Sequence, residues 1–272
     1  MQKPYLELLH HHARNSQPEI HDEDIMSTNS IRRVELCGQS NTGLRRLENE
    51  DSYRIERHLG MCLVADGVGG AAAGELASRL FSDAAFEVFR HGGDQIENHV
   101  VERVQEAFRL ANQRILQHAQ QNPAHKGLAC TAELMAFSDE GFVVGHLGDS
   151  RTYRFRNGQL KQLTKDHSLV QAQIDQGIIK PEAALSHPWR NVILRAVGMD
   201  EDLELDLIRG RTYPQDEFLL CSDGLTDMVP DELIQQTLQT SKHLEQKLDE
   251  LIEMALKAGG TDNITVVMLS IS

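Results

Sequence analysis

An α+β fold follows from three features of the 272-residue sequence. Short β-type runs come first, two amphipathic helical stretches follow side by side, and more strands return before a last helix and a closing strand. That order is not the regular strand–helix alternation of a parallel α/β sheet. A 40% apolar content supplies enough material for a sizeable core.

Residues 1–30 are polar, with scattered charge and no sustained periodicity, and read as a flexible N-terminal extension. Its His10-His11-His12 tract reads as part of a polar tail rather than a soft-metal site. The folded domain is expected over 31–272. Strand-like runs occupy 33–37, 53–57 and 61–65. One helix places Leu76, Leu80, Phe81, Ala84, Val88 and Phe89 on a single face and ends at Gly92-Gly93, and the next does the same with Val101, Val104, Phe108, Ala111 and Ile115. Strands resume at 130–137, 141–147 and 151–155. The Asn157-Gly158 pair then marks a two-residue hairpin turn into Leu160–Leu163. A mixed segment runs over about 168–197. Strands near 218–222 and 264–271 bracket a helix at 242–258, whose Leu244, Leu248, Leu251, Ile252 and Ala255 share a face. No internal repeat is visible.

The net charge of −14 argues against nucleic acid or an anionic membrane surface as a partner, since both reward clustered basic side chains. An acidic protein acting on an anionic substrate needs a local positive centre, which metal ions supply. Cys37, Cys62, Cys130 and Cys221 show no CxxC spacing, and three of them lie in apolar runs, as buried thiols of a reducing compartment do. No stretch approaches the roughly 18 apolar residues of a spanning helix. The N-terminus lacks a signal-like apolar core, so a cytoplasmic setting is expected.

Four aspartates carry the chemistry. Asp66 closes the run Met61–Ala65, and Asp149 follows Phe142–Gly148. Asp223 follows Phe218–Ser222, and Asp262 precedes Ile264–Met268. A carboxylate at the end of a buried strand is costly to desolvate unless something offsets it. Four that recur in this way point to one shared partner, a hard divalent cation held by oxygens: a polynuclear Mg²⁺ or Mn²⁺ site.

The glycines of Asp66-Gly67-Val68-Gly69-Gly70 let backbone approach a ligand closely. Neither a Lys-Ser/Thr nor the GxGxxG spacing of a nucleotide loop is present. In Arg46-Leu47-Glu48-Asn49-Glu50-Asp51-Ser52, strand geometry lets only one of the adjacent acids face a shared site. Glu50 is the candidate ligand, with Asp51 ordering water or neighbouring donors. Arg46 offers a planar fork suited to phosphate. Asp149, in Gly148-Asp149-Ser150-Arg151, is either a ligand or a turn cap. His167, in Thr164-Lys165-Asp166-His167-Ser168, reads as structural, because nothing near it in sequence activates it.

These pieces, with Ile193-Leu194-Arg195-Ala196-Val197-Gly198, Ser222-Asp223-Gly224-Leu225 and Gly260-Thr261-Asp262-Asn263, occur in one order across residues 33–271. Together they resemble the metal-dependent Ser/Thr protein phosphatases of the type 2C family, most of all its compact bacterial members. The resemblance implies a central antiparallel β-sandwich flanked by helices in α-β-β-α layers, with metals in a channel at one end. It implies that Asp66 bridges two Mn²⁺ or Mg²⁺ ions, with Asp223 and Asp262 completing one shell and Glu50 and the Gly67 carbonyl serving the other. Asp149, with Asp223, would serve a weaker third ion, Arg46 would hold the substrate phosphate, and residues 168–197 would form a flap beside the channel that contributes to selectivity. Trp189 would anchor that flap by burying its ring.

The chain departs from the family pattern at Val68, where some members carry His, and at Ala129-Cys130-Thr131-Ala132, where Gly-Ser/Thr-Thr-Ala is usual. Valine cannot donate a proton, so water is the expected acid toward the leaving oxygen. The implied reaction is hydrolysis of phosphoserine or phosphothreonine by a hydroxide bridging two ions. The substrate would be a phosphorylated protein, with a Ser/Thr kinase as the activity opposed and a monomer as the working unit. Cys221 is not followed by the arginine cradle of a cysteine nucleophile. A catalytically weak phosphoprotein-binding module is the rival reading, but it would be expected to have lost one of Asp66, Asp223 or Asp262. A nucleotide-binding regulatory domain lacks its phosphate loop.

Overall fold

A computed structural model describes residues 34–68, 73–184 and 187–272. The expected N-terminal extension and the His10–His12 tract lie outside the described residues. The described part belongs to a compact unit that runs from Arg33 to Ser272.

Strands β1 (Val34–Asn41), β2 (Asp51–Glu56) and β3 (Met61–Val68) precede helices α1 (Gly74–Arg90) and α2 (Glu97–Gln121). Then come β4 (Ala129–Phe137), β5 (Phe142–Leu147), β6 (Arg151–Arg156), β7 (Gln159–Gln162), α3 (Leu169–Asp175), β8 (Asp206–Gly210) and β9 (Glu217–Cys221). Helices α4 (Asp223–Thr226), α5 (Asp231–Leu238) and α6 (Leu244–Lys257) lead to β10 (Ile264–Ile271). Two five-stranded sheets result, ordered β1-β10-β9-β6-β7 and β2-β3-β4-β5-β8. Every pairing between the named strands is antiparallel. This is the α-β-β-α sandwich.

The apolar runs are continuous rather than alternating because both faces of each central strand are covered. On β3, Cys62 and Val64 face the inter-sheet core with Val144, Leu220 and Val267. Their neighbours Leu63 and Ala65 pack beneath α1 and α2 with Phe81 and Phe108. Opposite, Leu248, Leu251 and Ile252 of α6 cover Leu219, Val266 and Met268. Edge-on aromatic pairs pack α1 on α2 and one sheet on the other: Phe81 to Phe108 at 4.8 Å between centroids, and Phe142 to Phe218 at 5.0 Å.

The Asn157-Gly158 turn forms as expected, with φ of 53° and 77°, the left-handed pair that a type I′ hairpin requires. Three elements carry no strong sequence signal. Edge strand β8 is only half-buried and follows an acidic stretch. Helix α5 is short and starts after Pro230, and α3 opens on Ser168, whose hydroxyl accepts from the Gln171 N–H at 3.3 Å. One sequence expectation needs correction. Asp66 does not end its strand, because β3 continues through Gly67 and Val68, which pair with Cys130 and Ala129.

Between β4 and β5 the sandwich holds a fully buried ionisable pair. His146 Nδ1 bonds Glu133, Thr152 donates to the same carboxylate at 2.5 Å, and His146 Nε2 lies 2.9 Å from the Lys165 carbonyl. Burial pushes the Glu133 carboxyl up, while burial works against the His146 charge that Glu133 favours, with a net rise for His146. Glu133→Ala would strand the imidazole, and a loss of about 3–5 kcal/mol is expected in urea denaturation.

Candidate metal centre

The expected site residues come together at one end of the sandwich. On β3, Asp66 stands between Asp51 of β2 and Thr131 of β4 in register. Its backbone N–H donates to Thr131 Oγ1 at 3.3 Å, and that hydroxyl lies 2.6 Å from Ser150 Oγ. Gly67 lets α1 begin against the strand: a Cβ there would sit 2.2 Å from the Gly74 carbonyl oxygen. The Gly67 N–H donates to the Glu50 carbonyl at 3.2 Å, and Ser78 donates to the same oxygen at 2.6 Å. Glu50 is thereby fixed at the mouth of β2. Asp51 is instead buried between the strands, accepting from Ser222 Oγ at 2.8 Å with its charge acting on Asp66.

Asn263 joins the loops that carry Glu50 and Asp262. Its Oδ1 accepts the Glu50 N–H at 2.8 Å, and its amide donates to the Thr42 and Glu48 carbonyls, each at 3.0 Å. Its own N–H donates to Asp262 Oδ1 at 2.8 Å. Gly224 brings the start of α4 onto this loop, where a Cβ would lie 1.9 Å from the Asn263 oxygen. Sequence reasoning gave Asn263 no role. The one signal for it is its place next to Asp262, and the partners of its side chain lie more than 200 residues away. Asn263→Ala is expected to lower metal-dependent turnover by roughly 10–100-fold, read as kcat/KM on a phosphothreonine peptide with the circular dichroism unchanged.

A pocket of about 600 Å³ is lined by Arg46, Glu50, Asp66, Gly67, Asp149, Asp223 and Asp262, with Val68, Asn191 and Ile193 on its wall. The acids repel one another. Burial, then the charges of Asp51, Asp223, Asp149 and Asp262, hold the Asp66 carboxyl well above its ordinary range. Burial, followed by Asp149, Asp227, Asp262 and Asp51, does the same to Asp223. Burial lifts Asp51 to about 6 and Asp149 to about 7, aided for Asp149 by Asp166. One oxygen of Asp51 and one of Asp223 are sealed from solvent without a hydrogen-bond donor. Arg46 donates to Asp262 at 2.7 Å and stands 4.0 Å from Glu50.

Buried carboxylates with orphaned oxygens and mutually raised pKa values are a donor set suited to a hard divalent cation. Among the described residues, no group of three or more His, Cys, Asp or Glu side chains forms a ready-made cage for an ion. The fit therefore rests on the chemistry of the donors and on their shared pocket.

The family model for protein phosphatase 2C matches residues 43–266. The chain belongs to the protein phosphatase 2C family. It is 38% identical over 238 residues to the serine/threonine protein phosphatase PstP of Mycobacterium tuberculosis, covering 88% of this chain but 45% of that protein. It thus spans about half the length of that relative. It is 36% identical to the serine/threonine phosphatase Stp of Listeria welshimeri, covering 87% of this chain and 91% of that one. A crystal structure of a PstP catalytic domain in complex with two manganese ions superposes with a TM-score of 0.78 at 35% identity, covering 88% of this chain and 98% of the other. The matched region is the domain that these relatives and the solved PstP catalytic domain share.

Within this phosphatase domain, Cys130 is fully buried and pairs with Val197, so the departure at Ala129-Cys130 keeps Thr131 beside Asp66. The expectation for Trp189 fails. The residue is 60% exposed, with its ring edge-on to His187 at 6.0 Å between centroids. His167 sits where the base of segment 168–197 meets the Gly148–Asp149 turn.

Proposed function

We propose that this domain hydrolyses phosphoserine and phosphothreonine in proteins with the help of two Mn²⁺ or Mg²⁺ ions in the carboxylate pocket. The observation that carries the reading is the convergence of Glu50, Asp66, Asp149, Asp223 and Asp262 on that pocket, two of them with carboxyls held well above their ordinary range. Manganese in the related PstP domain supports the choice of metal.

Asp66 would be shared between the ions, with Asp223 and Asp262 on one, Glu50 and the Gly67 carbonyl on the other, and Asp149 beside Asp223 for a third. When bound, the ions would turn water into hydroxide near neutral pH and offset negative charge on the phosphoryl oxygens. Arg46 would exchange its bond to Asp262 for the phosphate, with its guanidinium fork opposite two phosphate oxygens. Asn263 and Ser78 would hold the Glu50 backbone while this exchange occurs. Val68, on the pocket wall, carries no proton to give, so the leaving hydroxyl would take its proton from water.

The proposed substrate is a phosphorylated protein segment, with a Ser/Thr kinase as the opposing activity. Residues 31–272 would act as the catalytic unit, as a monomer. Four free cysteines are in keeping with a reducing, cytoplasmic setting, and no described helix is long and apolar enough to cross a membrane. The test is turnover of a phosphothreonine peptide with Mn²⁺, after EDTA, and after Mn²⁺ is restored. Loss and recovery of turnover are expected, and turnover that survives EDTA would refute the reading.

A further inference from the structure

We infer that His167 is a positioning residue with two separable arms, one that sets the Asp149 turn and one that sets the wall of the pocket at Ile193. The inference rests on the reading of that pocket as a metal-dependent phosphatase site.

The inner arm is Nδ1, which accepts the Gly148 N–H at 3.1 Å. Gly148 has φ of 112°, and a Cβ there would lie 2.4 Å from Thr131 Cβ, so the turn before Asp149 is pressed onto the strand beside Asp66. The His167 N–H donates to the Gly148 carbonyl at 2.7 Å, which closes the contact from the other side. Because Nδ1 accepts, the ring proton belongs on Nε2.

The outer arm is that Nε2. With the proton on it, Asp206 Oδ2 at 3.3 Å is the partner that can accept, while the donor Arg195 Nη1 packs against the nitrogen at 2.8 Å without bonding it and Arg195 Nη2 donates to Asp206 Oδ1 at 2.8 Å. The backbone follows the same line. Leu194 N–H donates to the His167 carbonyl at 2.7 Å, and Ser168 bridges Ile193, which lines the pocket with Asn191. His167 is thus the one described side chain whose ring nitrogens bond the Gly148–Asp149 turn on one edge and face the Arg195–Asp206 pair on the other. Its ring is fixed from behind by His146, 4.5 Å away between centroids, itself held by the buried Glu133. Burial and the neighbouring His146 and Arg195 lower its pKa to about 4, which keeps the ring neutral and Nδ1 free to accept.

Two amide side chains separate the arms, since Asn offers an oxygen near the place of Nδ1 and Gln an N–H near the place of Nε2. The wild type, His167→Asn and His167→Gln are assayed for the Mn²⁺ concentration that gives half-activation and for KM on a phosphothreonine peptide. His167→Asn should keep the Mn²⁺ requirement within about twofold of the wild type and raise peptide KM on the order of tenfold. His167→Gln should do the reverse, with a Mn²⁺ requirement raised roughly tenfold, as loss of a residue that orients a ligand does.

Asp206→Asn, which leaves the ring in place, serves if either variant fails to fold, and it should raise peptide KM without moving the Mn²⁺ requirement. Equal shifts of both quantities in both variants, no shift in either, or an Asp206→Asn that moves the Mn²⁺ requirement as far as KM would overturn the two-arm assignment. A wild type without Mn²⁺-dependent turnover would instead overturn the phosphatase reading, and this inference with it.

Discussion

Asp66→Asn is expected to reduce turnover of a phosphothreonine peptide on the order of 10³-fold or more, as loss of a preorganised electrostatic group at a reacting centre does. The substitution is nearly isosteric, and the Asp66 backbone, paired with Asp51 and Thr131 across β2 and β4, keeps its register. What changes is charge. Burial, and then the charges of Asp51, Asp223, Asp149 and Asp262, raise Asp66. Removing it takes away the donor that the proposed ions would share. The same change relieves repulsion among acids, so the metal-free variant should melt at a higher temperature than the metal-free wild type. Lower activity together with higher stability distinguishes a functional carboxylate from a structural one, since a merely structural residue would lose both. Activity is measured by phosphate release, stability by thermal circular dichroism in EDTA.

The second large effect is a pH-dependent stability that Mn²⁺ reverses. Burial raises Asp51 to about 6 and Asp149 to about 7 in the folded protein, against about 3.9 for an unfolded aspartate. Between those limits the folded chain binds more protons than the unfolded one. Stability therefore falls as pH rises from about 4 to about 7 and is flat in these groups above that. Metal-free protein should melt roughly 5–10 °C lower at pH 7.5 than at pH 5, which corresponds to a few kcal/mol for a domain of this size. Mn²⁺ needs the ionised carboxylates and displaces their protons, so its stabilising effect should be larger at pH 7.5. At a hundredfold excess over its dissociation constant one ion adds about 2.7 kcal/mol. Asp66→Asn should flatten the pH slope and shrink the Mn²⁺ increment. A wild type whose melting temperature climbs through this range without metal would contradict the electrostatic account.

The legible part of the site was the part written locally. Asp66, Asp149, Asp223 and Asp262 each adjoin an apolar run, so the strand and its carboxylate could be read together. Strand parity admitted only one of Glu50 and Asp51, and Glu50, just ahead of β2, is the one that lines the pocket. Ser222 and Asn263 sit beside Asp223 and Asp262 in sequence, but their bonds, like that of Ser78, reach the connection between β1 and β2 or β2 itself, which no local pattern shows.

His167 illustrates the same limit. Its sequence neighbours offer no reason for a role, while its contacts come from Gly148, Arg195 and Asp206. In the fold, helices and central strands with a full apolar face were readable, whereas β8 and α5 depend on tertiary cover and were not. Trp189 shows the converse error: a large aromatic need not be buried.

Equilibrium dialysis against Mn²⁺ tests the central claim most directly. The wild type should retain two ions per chain, the number held by the related PstP catalytic domain, and Asp66→Asn at most one, with both proteins folded. A folded wild type that retains no Mn²⁺ at millimolar concentration, or an Asp66→Asn variant that retains as many ions as the wild type, would contradict the assignment of this pocket as the metal centre.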